Sequence, residues 1–385
     1  MHPPQRLLFA LLLAVPGFAR AASELVYIGT YTDRPGSVTR SQGIYALRFD
    51  SATGSLSAPG LAAAAHNPSF LALSPDHRFL YAAGDDGLPA PATLADDGGG
   101  SAFAVDPATG GLRPLNQRAT GGPATTHLAV DATGRMLIMV NYASGYTCAL
   151  PIRADGSLGA VSSFVPHHGP PGPSPRQSTP HAHCVTLSPD NRFALVCDLG
   201  LDRVLVYRID PAHAALAPND PPFGSVPAGA GARHGDFSPD GRFFYVVNEL
   251  ASSVCVFAYD AARGALELRQ TVSTLPADFR GHDLGAEIRV HPNGRFVYAS
   301  DRGHDSLAVF ARDPDRGVLS VVQIVPCGGM HPRAFTLSPD GRWLLCADRD
   351  TNDVVVFRLD PATGRLTPNG ATAAIDQPVS VVFVN

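Results

Sequence analysis

The stretch RHGDFSPDGRFFYVVNEL, residues 233–250, decides the fold. At its centre Pro239-Asp240-Gly241 sets a tight turn, because proline fixes φ and glycine accepts a positive one. A short alternating run leads into the turn and an apolar run leaves it, the signature of two antiparallel strands. The pattern returns as SPDHRF (74–79), DATGRM (131–136), SPDNRF (188–193), HPNGRF (291–296) and SPDGRW (338–343). Its arginine stands at 78, 135, 192, 242, 295 and 342, in steps of 57, 57, 50, 53 and 47 residues.

A second motif ends each unit: FDSATGSL from 49, VDPATGGL from 105, RADGSL from 153, IDPAHAAL from 209, YDAARGAL from 259, RDPDRGVL from 312 and LDPATGRL from 359. It joins a strand such as VLVYRI or VVVFRL to one further, outer strand. Four strands thus recur about every 50 residues, and a radial array of four-stranded sheets follows from that period. The turn motif has six copies against seven of the second motif, and the termini resolve the mismatch. ELVYIGTYT (24–32) reads as a second strand with no first strand before it, and PVSVVFV (378–384) as a first strand with no second after it. Pairing the two completes a blade and removes an exposed sheet edge. The sequence therefore predicts an all-β fold: a seven-bladed β-propeller of four-stranded blades, closed by pairing of the N- and C-terminal strands, as one domain over residues 22–385. The Gly/Pro-rich segments 84–100 and 167–180 are predicted to be long loops.

Composition agrees. Hydrophobic residues are 45% and charged residues 16%, enough for a large core and too little charge for a disordered chain. A net charge of −5 provides no general basic field for nucleic acid, so no nucleic-acid partner is expected. Residues 1–21 read as a signal peptide: Arg6, then the apolar LLFALLLAV (7–15), then Ala19-Arg20-Ala21 for cleavage. The apolar run is shorter than the roughly 20 residues of a membrane span. The mature chain is expected to be periplasmic or secreted, off the membrane, and monomeric. The six cysteines, Cys148, Cys184, Cys197, Cys255, Cys327 and Cys346, are expected to be buried free thiols, with a Cys184–Cys197 bridge as the alternative.

Geometry then selects a site. The turn lies between the two innermost strands of each blade, so the start of the first strand and the end of the second share the opposite channel mouth. Those ends carry His127 with Asn141, His181 and His183 with Asp198, and Arg233 and His234 with Asn248 and Glu249. They also carry Glu287 and Arg289 with Asp301 and Arg302, and His331 and Arg333 with Asp348 and Arg349. Polar strand ends in a wet channel are often only solvated. Several arginines, histidines and a glutamate on one rim, however, call for compensating charge or an anionic ligand.

The motifs YIGTYT (27–32), NYASG (141–145), RQSTPHAH (176–183), DLG (198–200), VVNEL (246–250) and DRGHDSLAVF (301–310) resemble those of the seven-bladed lactonase family. That family includes propeller-type 6-phosphogluconolactonases and carboxy-muconate lactonizing enzymes. The resemblance spans essentially the whole mature chain. It implies catalytic roles for His183, Glu249, Arg233 and Arg302, residues that the strand geometry also selects. His181, Asn141, Asn248 and His331 are expected to bind substrate. The chain departs from the family at Asp301, where asparagine is usual, at YAAGDD (81–86), and in the Pro-rich insert 167–180.

Opening a lactone needs an activated water, charge stabilisation on the carbonyl oxygen and a proton for the leaving alkoxide. Glu249 as general base and His183 as acid, or the reverse, would supply the proton transfers. Arg233 and Arg302 would hold the oxyanion and a carboxylate or phosphate. No histidine or cysteine spacing fits a metal site, and no dinucleotide or phosphate-loop fingerprint occurs, so neither metal nor cofactor is expected. The partner is a small-molecule lactone or carboxylate. A muconate-type cycloisomerase and a non-catalytic ligand- or protein-binding propeller are the alternative readings.

Overall fold

The computed structural model describes residues 23–33, 39–84 and 98–384. The leader assigned to residues 1–21 and the Asp85-Asp86 end of YAAGDD lie outside the described residues. The described strands form seven antiparallel sheets, with one 3-10 turn at Pro175–Gln177. No helix among the described residues is long and apolar enough to cross a membrane.

Six sheets have four strands each and follow one another in chain order; we number them blades 2 to 7. Blade 1 is the closing blade. In it Pro378–Val384 pairs with Ser23–Thr30, Val26 facing Phe383, and Ser23–Thr30 pairs in turn with Gly43–Asp50. Ser55–Leu56 and Gly60–Ala64 share the outer edge of Gly43–Asp50. The first strands of blades 2 to 7 are Pro68–Leu73, Thr125–Val130, Ala182–Leu187, Ala232–Phe237, Leu284–Val290 and Pro332–Leu337. Each touches the next, and Pro378–Val384 bridges blade 7 to blade 2, so the ring closes as the termini predict.

The turn chemistry is local. In the SPDGR turn the Ser238 hydroxyl donates to Asp240 and accepts from the Phe243 N–H at 3.0 Å, while Gly241 takes φ +67°. The second strand that follows is apolar at nearly every position because both faces of a blade are covered. Phe244 and Val246 pack into a core shared with blade 4, whereas Phe243, Tyr245 and Val247 pack into one shared with blade 6. Tyrosines on second strands also latch blades together. Tyr27, Tyr81, Tyr245 and Tyr298 donate to the carbonyls of Gly110, Gly156, Gly317 and Gly364, each in the outer hairpin of the next blade, at 2.9 to 3.1 Å.

One feature of the first strands has no signature in sequence. Near the mouth of each blade the register slips by one residue. Ala182 faces Asp198 and Cys184 faces Cys197, which leaves His183 unpaired. The register slips past Arg233 in blade 5 and past Arg333 in blade 7 in the same way. In blade 6 Ala286 and Glu287 both lie between the pairs Gly285–Asp301 and Ile288–Ala299. A bulge bends its strand and re-aims the extra side chain.

Candidate active site

Glu249 follows directly on the second strand of blade 5, Phe243–Asn248. Its N–H donates to the Gly231 carbonyl at 2.7 Å, and its own carbonyl accepts from the Gly285 N–H at 3.0 Å. That second bond brings blades 5 and 6 so close that a Cβ on Gly285 would lie 2.6 Å from the Asn248 carbonyl oxygen, so the position needs glycine.

Glu249 is 2% exposed, and its carboxylate is surrounded by cations. Oε2 accepts from Arg233 Nε at 2.9 Å and pairs with Arg302 Nη2 at 3.0 Å; Oε1 pairs with Arg176 Nη1 at 2.6 Å. His183 Nε2 stands 3.8 Å from Oε2. Burial pushes the Glu249 carboxyl up, but the charges of Arg302, Arg233 and Arg176 outweigh it and hold the group well below the usual range. Burial, helped by the Arg233 charge and His234, holds His183 well below an ordinary histidine, so its imidazole is neutral. Burial, with Arg302 and Arg333 beside it, brings Arg233 down to about 9.

Backbone carbonyls fix the two buried guanidinium groups. Arg233 Nη1 donates to the Ala286 carbonyl, and Arg302 donates to those of Leu284 (3.3 Å) and Gly285 (2.8 Å). Arg233 Nη2 and Arg302 Nη1 take part in none of the hydrogen bonds among the described residues. The cluster therefore presents excess positive charge and unused donors, a setting that favours an anion or a developing oxyanion.

The four residues assigned to catalysis thus converge on one rim, while the four assigned to substrate binding divide. Asn141 donates to the Gly122 carbonyl and accepts from the Ser144 N–H, and Asn248 donates to Ser253 and Cys255, so both amides turn into their own blades. His181 has Nδ1 against the Tyr142 carbonyl at 2.8 Å and Nε2 at 3.3 Å from the Thr179 hydroxyl. It stacks on Tyr142, whose ring edge meets His183. His331 lies beside Arg349 and Asp350; burial and the Arg349 charge bring it down to about 2. All six cysteines are free and buried, Cys184 and Cys197 included.

Arg176 escaped the strand argument because it comes from the 167–180 loop. The loop is anchored, however. Ser174 caps the 3-10 turn in a reciprocal capping box with Gln177. Gln177, fully buried, donates to the Leu199 carbonyl and to Asp202. Arg176 then reaches across to Glu249 and the Tyr142 hydroxyl. The S-x-x-Q pattern with proline at its second position was the available signal.

Comparison with known proteins agrees with this geometry. Residues 25–383 match the family described as lactonase, 7-bladed beta-propeller. A 6-phosphogluconolactonase of Bacillus subtilis is 34% identical over 360 residues, 93% of this chain and 98% of that one. The solved periplasmic gluconolactonase of Pseudomonas aeruginosa superposes with a TM-score of 0.87 at 34% identity, covering 94% of this chain and 99% of that one. A solved protein from Lactobacillus plantarum gives a TM-score of 0.85 at 33% identity, over 94% and 100%. With a closed seven-bladed ring, a family match across nearly all its length and a carboxylate–guanidinium–imidazole cluster on one rim, this chain belongs to the seven-bladed β-propeller lactonase family and is a lactonase.

Proposed function

We propose that the chain hydrolyses a sugar-type lactone of the gluconolactone kind, without a metal, by acid–base catalysis at the channel mouth. The observation that carries this reading is the Glu249 carboxylate clasped by two buried guanidinium groups with the neutral His183 ring 3.8 Å away. Glu249 is held ionised by the two guanidinium groups it clasps, whereas His183 is neutral and forms no such pair, so we assign the proton-accepting role to His183. His183 takes the proton of the attacking water as its oxygen adds to the lactone carbonyl carbon. The free donors of Arg233 and Arg302 stabilise the oxyanion. The ring C–O bond then breaks, and His183 returns the proton to the leaving alkoxide, giving the hydroxy acid. Glu249 keeps both guanidinium groups in place and steadies the transient imidazolium.

The leader favours a periplasmic or secreted location, and an exported enzyme meets an unphosphorylated lactone more readily than a cytoplasmic sugar phosphate. The periplasmic gluconolactonase neighbour supports the same choice. The test is acid release in a pH-stat on gluconolactone and its 6-phosphate, corrected for spontaneous opening. His183→Ala is the cleaner variant, since Glu249→Gln strands two buried guanidinium charges. The expected outcome is a loss of at least about 10²-fold in kcat, insensitive to chelator, with an unchanged melting curve. Full activity of His183→Ala removes that residue from the mechanism. Turnover of a muconate with none of either lactone transfers the chain to the cycloisomerases.

A further inference from the structure

A second cluster lies one residue further along the same first strands. His127, Cys184 and His234 hold equivalent positions in blades 3, 4 and 5, each the first paired residue after the bulge, facing Val140, Cys197 and Val247. They are 57 and 50 residues apart, so the repeat itself, and no local motif, brings them together. All three are buried, and one ring nitrogen of each histidine and the Cys184 sulfur lie within 4.8 Å of one another.

The distances suit an ion. Cys184 Sγ is 3.5 Å from His127 Nε2. With bonds of about 2.3 Å to sulfur and about 2.0 Å to nitrogen, two donors of a tetrahedral centre stand about 3.5 Å apart. That edge is already in place, and the wider edges close by about 1.5 Å at most. His234 is oriented to ligate, since its Nδ1 bonds Glu287 Oε1 at 3.1 Å and leaves the lone pair on Nε2. A carboxylate behind a histidine is the usual support for a metal ligand. Arg289 Nη1, 3.1 Å from the same oxygen, holds Glu287 in turn. An independent observation points the same way. Glu287 Oε2 and His183 Nδ1 are buried with no hydrogen-bond partner, and the His183 ring lies 5.1 Å from that of His234. This layer of the channel has coordinating capacity that the protein does not itself satisfy.

We propose that His127, Cys184 and His234 bind one transition-metal ion of borderline softness, with zinc(II) as the type case, and that the ion clamps the first strands of three successive blades below the channel mouth. The fourth position is left to solvent. Binding releases the Cys184 thiol proton to water, and the thiolate and Glu287 offset the two charges of the ion. His127 carries its ring proton on Nδ1 when Nε2 ligates. This gives up a contact of 3.4 Å from the Val185 N–H, long for a hydrogen bond and a small loss.

Metal binding is read separately from the proposed reaction, so the two stand or fall independently. The mature protein is loaded with zinc, dialysed and analysed for bound metal, and in a second experiment titrated with cobalt(II). Expected are one ion per chain and a near-ultraviolet thiolate-to-cobalt charge-transfer band with the visible bands of a tetrahedral centre. Cys184→Ser removes the charge-transfer band, Cys197→Ser keeps it, and His234→Gln and His127→Gln each weaken cobalt affinity at least about tenfold. The two histidine variants decide the matter if Cys184→Ser does not fold. No charge-transfer band in the unmodified protein, a band that survives in Cys184→Ser, or unchanged affinity in both histidine variants overturns the proposal.

Discussion

Asp301 stands beside Arg302 and is fully buried, and its burial explains how an acid is tolerated there. Its carboxyl is pushed well above the ordinary range by burial and by the neighbouring Asp283, which favours the protonated form. Oδ1 accepts from the Thr274 hydroxyl at 2.7 Å, and Oδ2 is buried with no hydrogen-bond partner. A neutral Asp301 is thus the electrical equivalent of asparagine and leaves the charge on Arg302 untouched. The stability consequence follows from linkage. A carboxyl whose folded pKa lies above its unfolded value contributes fully below that unfolded value, near 3.8, and its contribution is lost as pH rises through the folded one. Asp301→Asn removes the loss. Melting temperatures compared at pH 4 and pH 8 should show the variant gaining on the parent as pH rises, with lactonase activity unchanged. A gain independent of pH, or a loss at alkaline pH, would show that Asp301 is ionised in the folded protein.

At the scale of elements, what the sequence made legible is what is encoded locally. Each S-P-D-G-R turn carries its own hydrogen bonds and its own positive φ, so blade number, strand order and closure could all be read from spacing. The second strands were harder to interpret than to find: Phe243 and Phe244 alternate between two cores and not between core and solvent. The bulges that aim His183, Arg233 and Arg333 at the channel were illegible, because a register slip is settled between neighbouring strands and needs no special residue. This also separates the groups aimed at the mouth from Asn141 and Asn248, which share its rim yet bond within their blades. Arg176 was hidden for another reason, since its loop belongs to no repeat. Its guanidinium side chain is 43% exposed, so its ion pair with Glu249 contributes only about 0–1 kcal/mol to stability. That weak hold suits a group that trades Glu249 for an oxygen of the incoming substrate. Arg176→Ala should raise KM about tenfold while kcat and melting temperature change little, as steady-state kinetics and thermal denaturation would read. A fall in kcat at constant KM would place Arg176 in the transition state instead.

For the molecule as a whole, cohesion lies between blades and not within them. Each of the seven apolar clusters among the described residues draws its side chains from two neighbouring blades. No blade has a core of its own, and opening the ring anywhere exposes two half-cores at once. The closing blade is where this coupling can be tested. Its strand Pro378–Val384 contributes Val381 and Phe383 to the core shared with blade 7, and the Phe383 ring meets Phe49 edge-on at 5.5 Å. On its other side lies the first strand of blade 2, where the Leu71 N–H donates to the Ser380 hydroxyl at 3.2 Å. Phe383→Ala removes a buried ring from a packed site and should cost about 3–4 kcal/mol. Deleting residues 378–385 should do more: it unpairs Ser23–Thr30, opens the ring at the channel edge and disturbs the mouth built on the neighbouring first strands. The deleted chain is expected to lose the single cooperative melting transition and its lactonase activity together, well below the temperature at which Phe383→Ala unfolds. If instead the truncated chain melted like the parent, or kept activity after the ring had opened, the blades would be holding themselves together and the inter-blade cores would not be the source of stability.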